Sequence, residues 1–338
     1  MKLRNLLAMT LVAATGLTLA SCGQNKVYTG IGYSGEFGLS YGNYQLDLST
    51  AFAAFDSKGK IVDARIDVVQ VKVKANAENT GVELVSAQVD GSVRSKLELG
   101  KDYNMLSSSE IGKEVDAQIE AFADWTVGKT VEEVKSLIDP TKGHGVAHHA
   151  DLEGICTITC TAFVEALEVA YANRSAEAVS VSKTAKAGIA MVSGLAYNYG
   201  APQTDISVDV AGVLVDGGKV VAAEIDAVVY PLSISAEGVA ADTTQKYFQN
   251  GKLTSKNTLG DKYAMAERNN GQDGCTLEWY EQAAVIEAAA NGKTATEIAT
   301  LKKAEGELAT ATITLASYVT ALSKAAKYAE LTHVGPQA

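Results

Sequence analysis

Two stretches of this chain read almost alike. Phe55–Asp67 is FDSKGKIVDARID, and Leu214–Asp226 is LVDGGKVVAAEID. Three further pairs follow in the same order: Ser95–Met105 (SKLELGKDYNM) with Ser255–Met265 (SKNTLGDKYAM), Gly128-Lys129-Thr130 with Gly292-Lys293-Thr294, and Thr157–Leu167 (TITCTAFVEAL) with Thr312–Leu322 (TITLASYVTAL). Four blocks at similar offsets mark a tandem duplication of a whole domain, since a solenoid period is far shorter. The fold is constrained accordingly: what one copy forms, the other must be able to form.

In the first copy Tyr44, Leu46, Leu48, Thr50 and Phe52 alternate with mostly polar residues, the period of a half-buried strand. Asp56-Ser57-Lys58-Gly59 supplies a turn, and Ile61–Val73 reads as a returning strand. Its apolar phase slips after Val68, as a β-bulge near Val68 would cause. Val115, Ile119 and Phe122, then Val131, Val134 and Leu137, fall at helical spacing, and a closing helix is predicted over 158–171. Strands followed by helices predict an α+β domain with an antiparallel sheet, present twice. The expected boundaries are a leader with its cysteine at 1–22, a first domain at 26–173, a Ser-, Ala- and Lys-rich linker at 174–185, and a second domain at 186–330. Each domain is expected to fold alone.

The chain's first residues carry a different signal. Lys2 and Arg4 precede an apolar run, Leu6–Ala20, broken by Thr10, Thr15, Gly16 and Thr18, and Leu19-Ala20-Ser21-Cys22-Gly23 follows. Small residues before a cysteine let a signal peptidase reach the backbone, and that cysteine then takes lipid. An ordinary signal peptide or a single span are the competing readings, but the run is short and interrupted for a span. The expectation is an exported protein held on the extracytoplasmic face of the cell membrane through Cys22. A net charge of -11 argues against nucleic acid as a partner. Cys156, Cys160 and Cys275 remain, too few for a disulfide framework.

The segment Asp151–Thr159 (DLEGICTIT) stands just before the predicted closing helix. Small and hydroxyl residues at a helix start leave backbone N–H groups unpaired at the positive end of the dipole, which suits a phosphate. The plainer reading makes Thr157 or Thr159 an N-cap and Asp151 a loop carboxylate. His144, His148 and His149 lie in a Gly-rich loop and read as solvated, so no metal site is expected. Cys156 and Cys160, one helical turn apart, read as small core residues, and Trp125 as core. Tyr103 and Met105 recur as Tyr263 and Met265, and the presence of this aromatic-thioether pair in both copies favours a role in the fold. No Ser-His-Asp, Cys-His, paired-carboxylate, Walker or dinucleotide pattern is legible.

On these residues the chain resembles the FMN-binding domain family, found in flavin-carrying subunits of sodium-pumping and Rnf-type membrane complexes and, in tandem, in lipoproteins of extracellular electron transfer. Its members have a strand, a DGK-type turn, a second strand, helices, and an Asp-x-x-Ser-Gly-Ala-Thr-x-Thr segment opening a helix. The resemblance implies that Asp151 falls on the family's Asp, Thr157 on the threonine that accepts FMN through its phosphate, and Thr159 on the second threonine. Gly154-Ile155-Cys156 stands where the family has Ser-Gly-Ala, putting Gly154 and Cys156 in the implied FMN-binding segment. The second copy keeps Thr312 and Thr314 but has Gly306 at the Asp position, so flavin is expected at the first copy. The implied function is a surface electron carrier between a membrane donor and an extracellular acceptor. The alternative is a cofactor-free binding or structural lipoprotein on the same scaffold.

The anchor is directly testable. Cys22→Ala should leave the protein unprocessed or released from the membrane fraction; a variant that is cleaved normally and stays membrane-bound would overturn the lipid-anchor reading.

Overall fold

The structure is a computed structural model that describes residues 25–85, 92–196, 201–269, 271, 275–303 and 306–337; Cys22 and the expected leader lie outside them. The architecture is α+β. In the first half, strands β1 (Asn25–Ser40), β2 (Asn43–Phe55), β3 (Ile61–Ala75) and β4 (Val82–Leu84) precede helices α1 (Lys96–Leu99), α2 (Val115–Thr126), α3 (Val131–Leu137) and α4 (Thr161–Asn173). A short strand β5 (Val179–Val181) leads into the second half. There β6 (Lys186–Leu195), β7 (Asp205–Asp216), β8 (Lys219–Ser235) and β9 (Gly238–Ala241) precede α5 (Lys256–Leu259), α6 (Met265–Asn269), α7 (Trp279–Ala290), α8 (Ala295–Ile298) and α9 (Leu315–Ala329). Pairing is antiparallel throughout, in the orders β4-β3-β2-β1-β5 and β6-β7-β8-β9.

Three apolar interiors explain the layering. One lies between the first sheet and its helices, with Ala51, Ala53, Phe55 and Ile66 against Ile119, Phe122, Phe163 and Leu167. The second half repeats it with Val213, Ile225 and Ile286 against Leu322 and Ala325. The largest departure from expectation is the third, between the two sheets, where Leu46, Leu48, Phe52, Val69 and Val71 meet Val208, Val210 and Val228. The molecule is four layers: helices, sheet, sheet, helices. β2 is therefore buried on both faces rather than half-buried.

The same arrangement corrects the reading of β3. Ala64, Ile66 and Val68 face the helices, whereas Val69, Val71 and Val73 face the other sheet. The phase slip after Val68 marks a change in which face is covered, with regular pairing (Val68 opposite Ser49, Val69 opposite Leu48) running straight through it. The irregularity lies instead at Ala54/Phe55, opposite Ile61–Asp63, and its counterpart lies at Leu214/Val215.

The segment expected as a linker is held in place. Residues 174–185 are not a loose linker: Val179–Val181 pair with Asn25–Val27, the Ser175 N–H donates to Thr29 O (2.7 Å), and Ser182 donates through its N–H and hydroxyl to the Asp216 carboxylate (2.7 and 2.6 Å). The halves are joined by polar contacts as well, since Glu224 accepts from the Thr29 hydroxyl (2.6 Å) and the Ile31 N–H (3.1 Å). Separating them would expose the whole inter-sheet face to water, at a cost of about 25 cal/mol per Å². Independent folding of each half is not what this packing supports. The chain past residue 330 belongs to the first half: Lys101 N–H donates to Pro336 O (2.9 Å), and His333 Nδ1 lies 2.8 Å from Glu120.

Two of the repeated blocks meet at a buried carboxylate. Asp67, 1% exposed, accepts from the N–H groups of Val68 (2.7 Å) and Leu97 (3.1 Å). Asp226 accepts likewise from Ala227 (2.7 Å) and Asn257 (3.1 Å). Each aspartate thus ties the middle of β3 or β8, at the end of the KIVDARID/KVVAAEID block, to the turn opened by Ser95 or Ser255, whose hydroxyl caps the short helix that follows. Burial pushes the Asp67 carboxyl up to about 7 and Asp226 to about 6, opposed by the hydrogen bonds from Ser95 and Ser255.

A pH dependence follows. In the unfolded chain these groups titrate near 3.8, so the folded state holds their protons more tightly. Their contribution to stability is fully present below about 4 and is lost as pH rises through about 6 and 7, a change on the order of a few kcal/mol. Asp67→Asn keeps an acceptor for Leu97 and should flatten that part of the profile. Thermal melts between pH 4 and 8 would show it, and an unchanged slope in the variant would count against Asp67 as the titrating group.

Candidate functional site

The segment singled out in the first half does not stand as its sequence suggests. Helix α4 begins at Thr161 with Cys160 as its N-cap, three residues later than predicted, so Thr157 lies in the loop before the helix. Thr157 is only 6% exposed, and both its N–H and its hydroxyl are directed at Gln118 Oε1 (2.8 and 3.3 Å). Thr159 is exposed. Gly154 adopts φ +66°, the left-handed conformation that favours glycine. Asp151 is exposed on a short turn, accepts from Trp125 Nε1 (3.3 Å), and lies 3.5 Å from His149 Nδ1. Among the described residues no hydrogen bond links this Asp151–Trp125–His149 group to Thr157.

Cys156 and Cys160 are free thiols, buried as expected of core residues, with sulfurs 3.6 Å apart. The Cys160 thiol holds Cys156 below the ordinary thiol range. His148 is buried and bonds Asp139 O through Nδ1 (2.8 Å), whereas His144 is exposed. Among the described residues no three His, Cys, Asp or Glu side chains converge as metal ligands.

Sequence reasoning missed the residues that organise both loops. Glu114, just before α2, accepts from the N–H groups of Met105 (2.9 Å) and Leu106 (3.1 Å), and Glu278, before α7, accepts from Met265 (2.7 Å) and Ala266 (3.1 Å). One turn on, Gln118 holds Thr157, and Gln282 holds Thr312 through its N–H (2.6 Å) and hydroxyl (3.1 Å). The available signal was a Glu-x-x-x-Gln spacing at the start of the corresponding helix in each copy. Each pair fastens the Tyr-x-Met segment and the Thr-x-Thr segment to one helix end.

Where those two segments meet in the second half, a cleft of about 840 Å³ opens. Tyr263, Met265, Trp279 and Tyr318 form its apolar walls, and Thr312 and Thr314 line it too. The Trp279 and Tyr318 rings meet edge to face at 5.9 Å, and Lys256 lies over the rings of Tyr263 (5.5 Å) and Trp279 (5.8 Å). Trp279 is 1% exposed, and its indole N–H has no hydrogen-bond acceptor, with the Tyr318 hydroxyl as its polar neighbour. Asp209, on β7, is raised by burial against hydrogen bonds from Ser317 and Tyr318. Burial would raise the Tyr263 phenol, but Lys256, Arg268 and Lys246 together pull it below its usual value. In the first half the corresponding Met105 and Phe163 are packed into the core.

The two glutamines give a test. Gln118→Leu or Gln282→Leu leaves a threonine N–H without its partner, which costs about 1–3 kcal/mol when buried. Urea unfolding should show a loss of that size for Gln118→Leu. A loss under about 0.5 kcal/mol, the range of ordinary surface substitutions, would mean Thr157 is a free surface hydroxyl after all.

Known proteins add no name to this geometry: no family model, no curated protein and no solved structure matches the chain.

Proposed function

We propose that the protein is a lipid-anchored extracytoplasmic carrier whose ligand occupies the second-half cleft, and that the ligand is flavin mononucleotide held without a covalent bond. The observation that carries this reading is the cleft, whose size falls within the range of small-molecule sites and whose lining sets the rings of Tyr247, Tyr263, Trp279 and Tyr318 among Ser, Thr, Asp, Gln and Lys side chains. Tyr263 and Met265 offer surfaces to a planar ring, and Asp209 and Ser317 offer acceptors and donors to its polar edge. Lys256 suits a phosphate. A bound flavin would supply electron transfer, while these side chains hold it, orient it and exclude water.

The threonines do not fit an ester to FMN. Thr157 and Thr312 both turn their hydroxyls inward onto a glutamine. That observation favours the second reading, a binding protein on the same scaffold that carries no flavin. Among the described residues no helix is long and apolar enough to cross a membrane.

Protein purified from its native host should carry a flavin absorbance that is released on denaturation. FMN added to the apoprotein in a Trp125→Phe background should quench the emission of Trp279. Tyr263→Ala and Lys256→Ala should each weaken that binding about tenfold, equivalent to about 1.4 kcal/mol. Neither chromophore nor quenching would exclude the electron carrier and leave the flavin-free binding protein.

A further inference from the structure

The charge of this protein is divided along the strand axis. The segments at the end where β1 begins are 25–26, 56–60, 127–133, 172–186, 216–219, 291–297 and 327–331. Contacts confirm that they cluster: Lys60 bridges to Thr130, Ser175 bonds Thr29, Ser182 bonds Asp216, and Val220 bonds Lys293. Together they hold ten Lys and Arg residues and seven Asp and Glu, in a chain whose net charge is -11. Among the described residues none of those ten cations forms an ion pair; the five Lys and Arg that pair with Asp or Glu (Arg65, Lys74, Arg94, Lys135 and Lys324) are all elsewhere. Several of the acids, by contrast, are turned onto backbone N–H groups: Asp56 onto Lys58 and Lys60, Glu133 onto Thr130, and Glu297 onto Thr294. Lys58, Lys60, Arg174, Lys183 and Lys219 are exposed.

We infer that this basic end is a docking surface for an anionic phospholipid bilayer, and that the cleft opens at the opposite end, away from it. The choice of occupant rests on the lipid-anchor reading, because Cys22 precedes the first residue of β1 by three positions. Three residues reach only about 10 Å, so an anchored chain must carry this end against the headgroups. Lysines at such a surface attract anionic lipid additively and lose that attraction with salt. β6 starts at this end, and Ser193, seven residues along it, lines the cleft, which puts the cleft roughly 20–25 Å further out at strand rise. The ligand therefore exchanges with the extracytoplasmic phase and not with the bilayer.

The test uses the mature chain with Cys22→Ser, so that no lipid contributes. It should co-sediment with vesicles of phosphatidylglycerol and phosphatidylcholine at low ionic strength, but not with phosphatidylcholine alone, and raised salt should release it. Lys58→Glu, Lys183→Glu and Lys219→Glu combined should reduce the bound fraction more than about tenfold. The matching triple change at the other end, Lys72→Glu, Lys252→Glu and Lys262→Glu, should leave binding intact. Absence of binding to anionic vesicles, or equal loss in both triples, would overturn the inference. Lipidation of Cys22 is read separately, from the mass of the processed wild-type protein, so failure of one idea can be told from failure of the other.

Discussion

The contact of Phe52 with the backbone of Gly212 sets how closely the two sheets approach, and the rest of the architecture depends on it. A Cβ at position 212 would fall 2.2 Å from the Phe52 ring, so only glycine lets the sheets close. Once they close, Leu46, Leu48, Val69 and Val71 find an apolar partner that neither sheet could supply alone. Each sheet then has one face left, which its own helices cover. Backbone approach is just as tight there, since a Cβ at Gly32 or Gly188 would meet a carbonyl oxygen of α4 or α9 at 1.9 or 2.1 Å.

Much of this was legible in the sequence, for identifiable reasons. Strand-period runs ahead of helix-period runs pointed to an α+β order, and Val115, Ile119 and Phe122 marked α2 because a helix with one buried stripe has a clear period. β3 was harder: a strand buried on both faces loses its alternation, and that loss resembled a bulge. The 174–185 segment misled through composition, since small and polar residues make an edge strand as readily as a linker. Thr157 misled for a different reason. Whether a hydroxyl beside a helix is free depends on what lies opposite, and here that is Gln118, nearly forty residues earlier.

The two halves share a polar frame and differ in what they build around it. Asp67 and Asp226, Glu114 and Glu278, and Gln118 and Gln282 make corresponding hydrogen bonds in each half. The changes fall on the residues beside that frame. Val115 and Phe163 in the first half stand where the second has Trp279 and Tyr318, so a closed apolar packing is replaced by rings with polar atoms on the edge of a cleft. Such a division lets one half vary its pocket without disturbing the fastening of its loops, because the fastening bonds run mostly to backbone N–H groups.

The return of the last residues to the first half bears on the order in which the molecule can form. Glu120 and Arg65, which face each other across α2 and β3, are completed by His333 and by the carbonyl of Leu331, and Gly100 packs against Pro336. These partners lie more than two hundred residues apart along the chain. As a ribosome releases the polypeptide, the first sheet and its helices emerge well before the segment that finishes their surface, and before the second sheet that shields their inner valines. The nascent first half therefore spends most of synthesis with an open apolar face and an unfinished charged corner. Closing contacts of such long sequence separation is slow, and this corner is complete only once residues 331–336 have emerged.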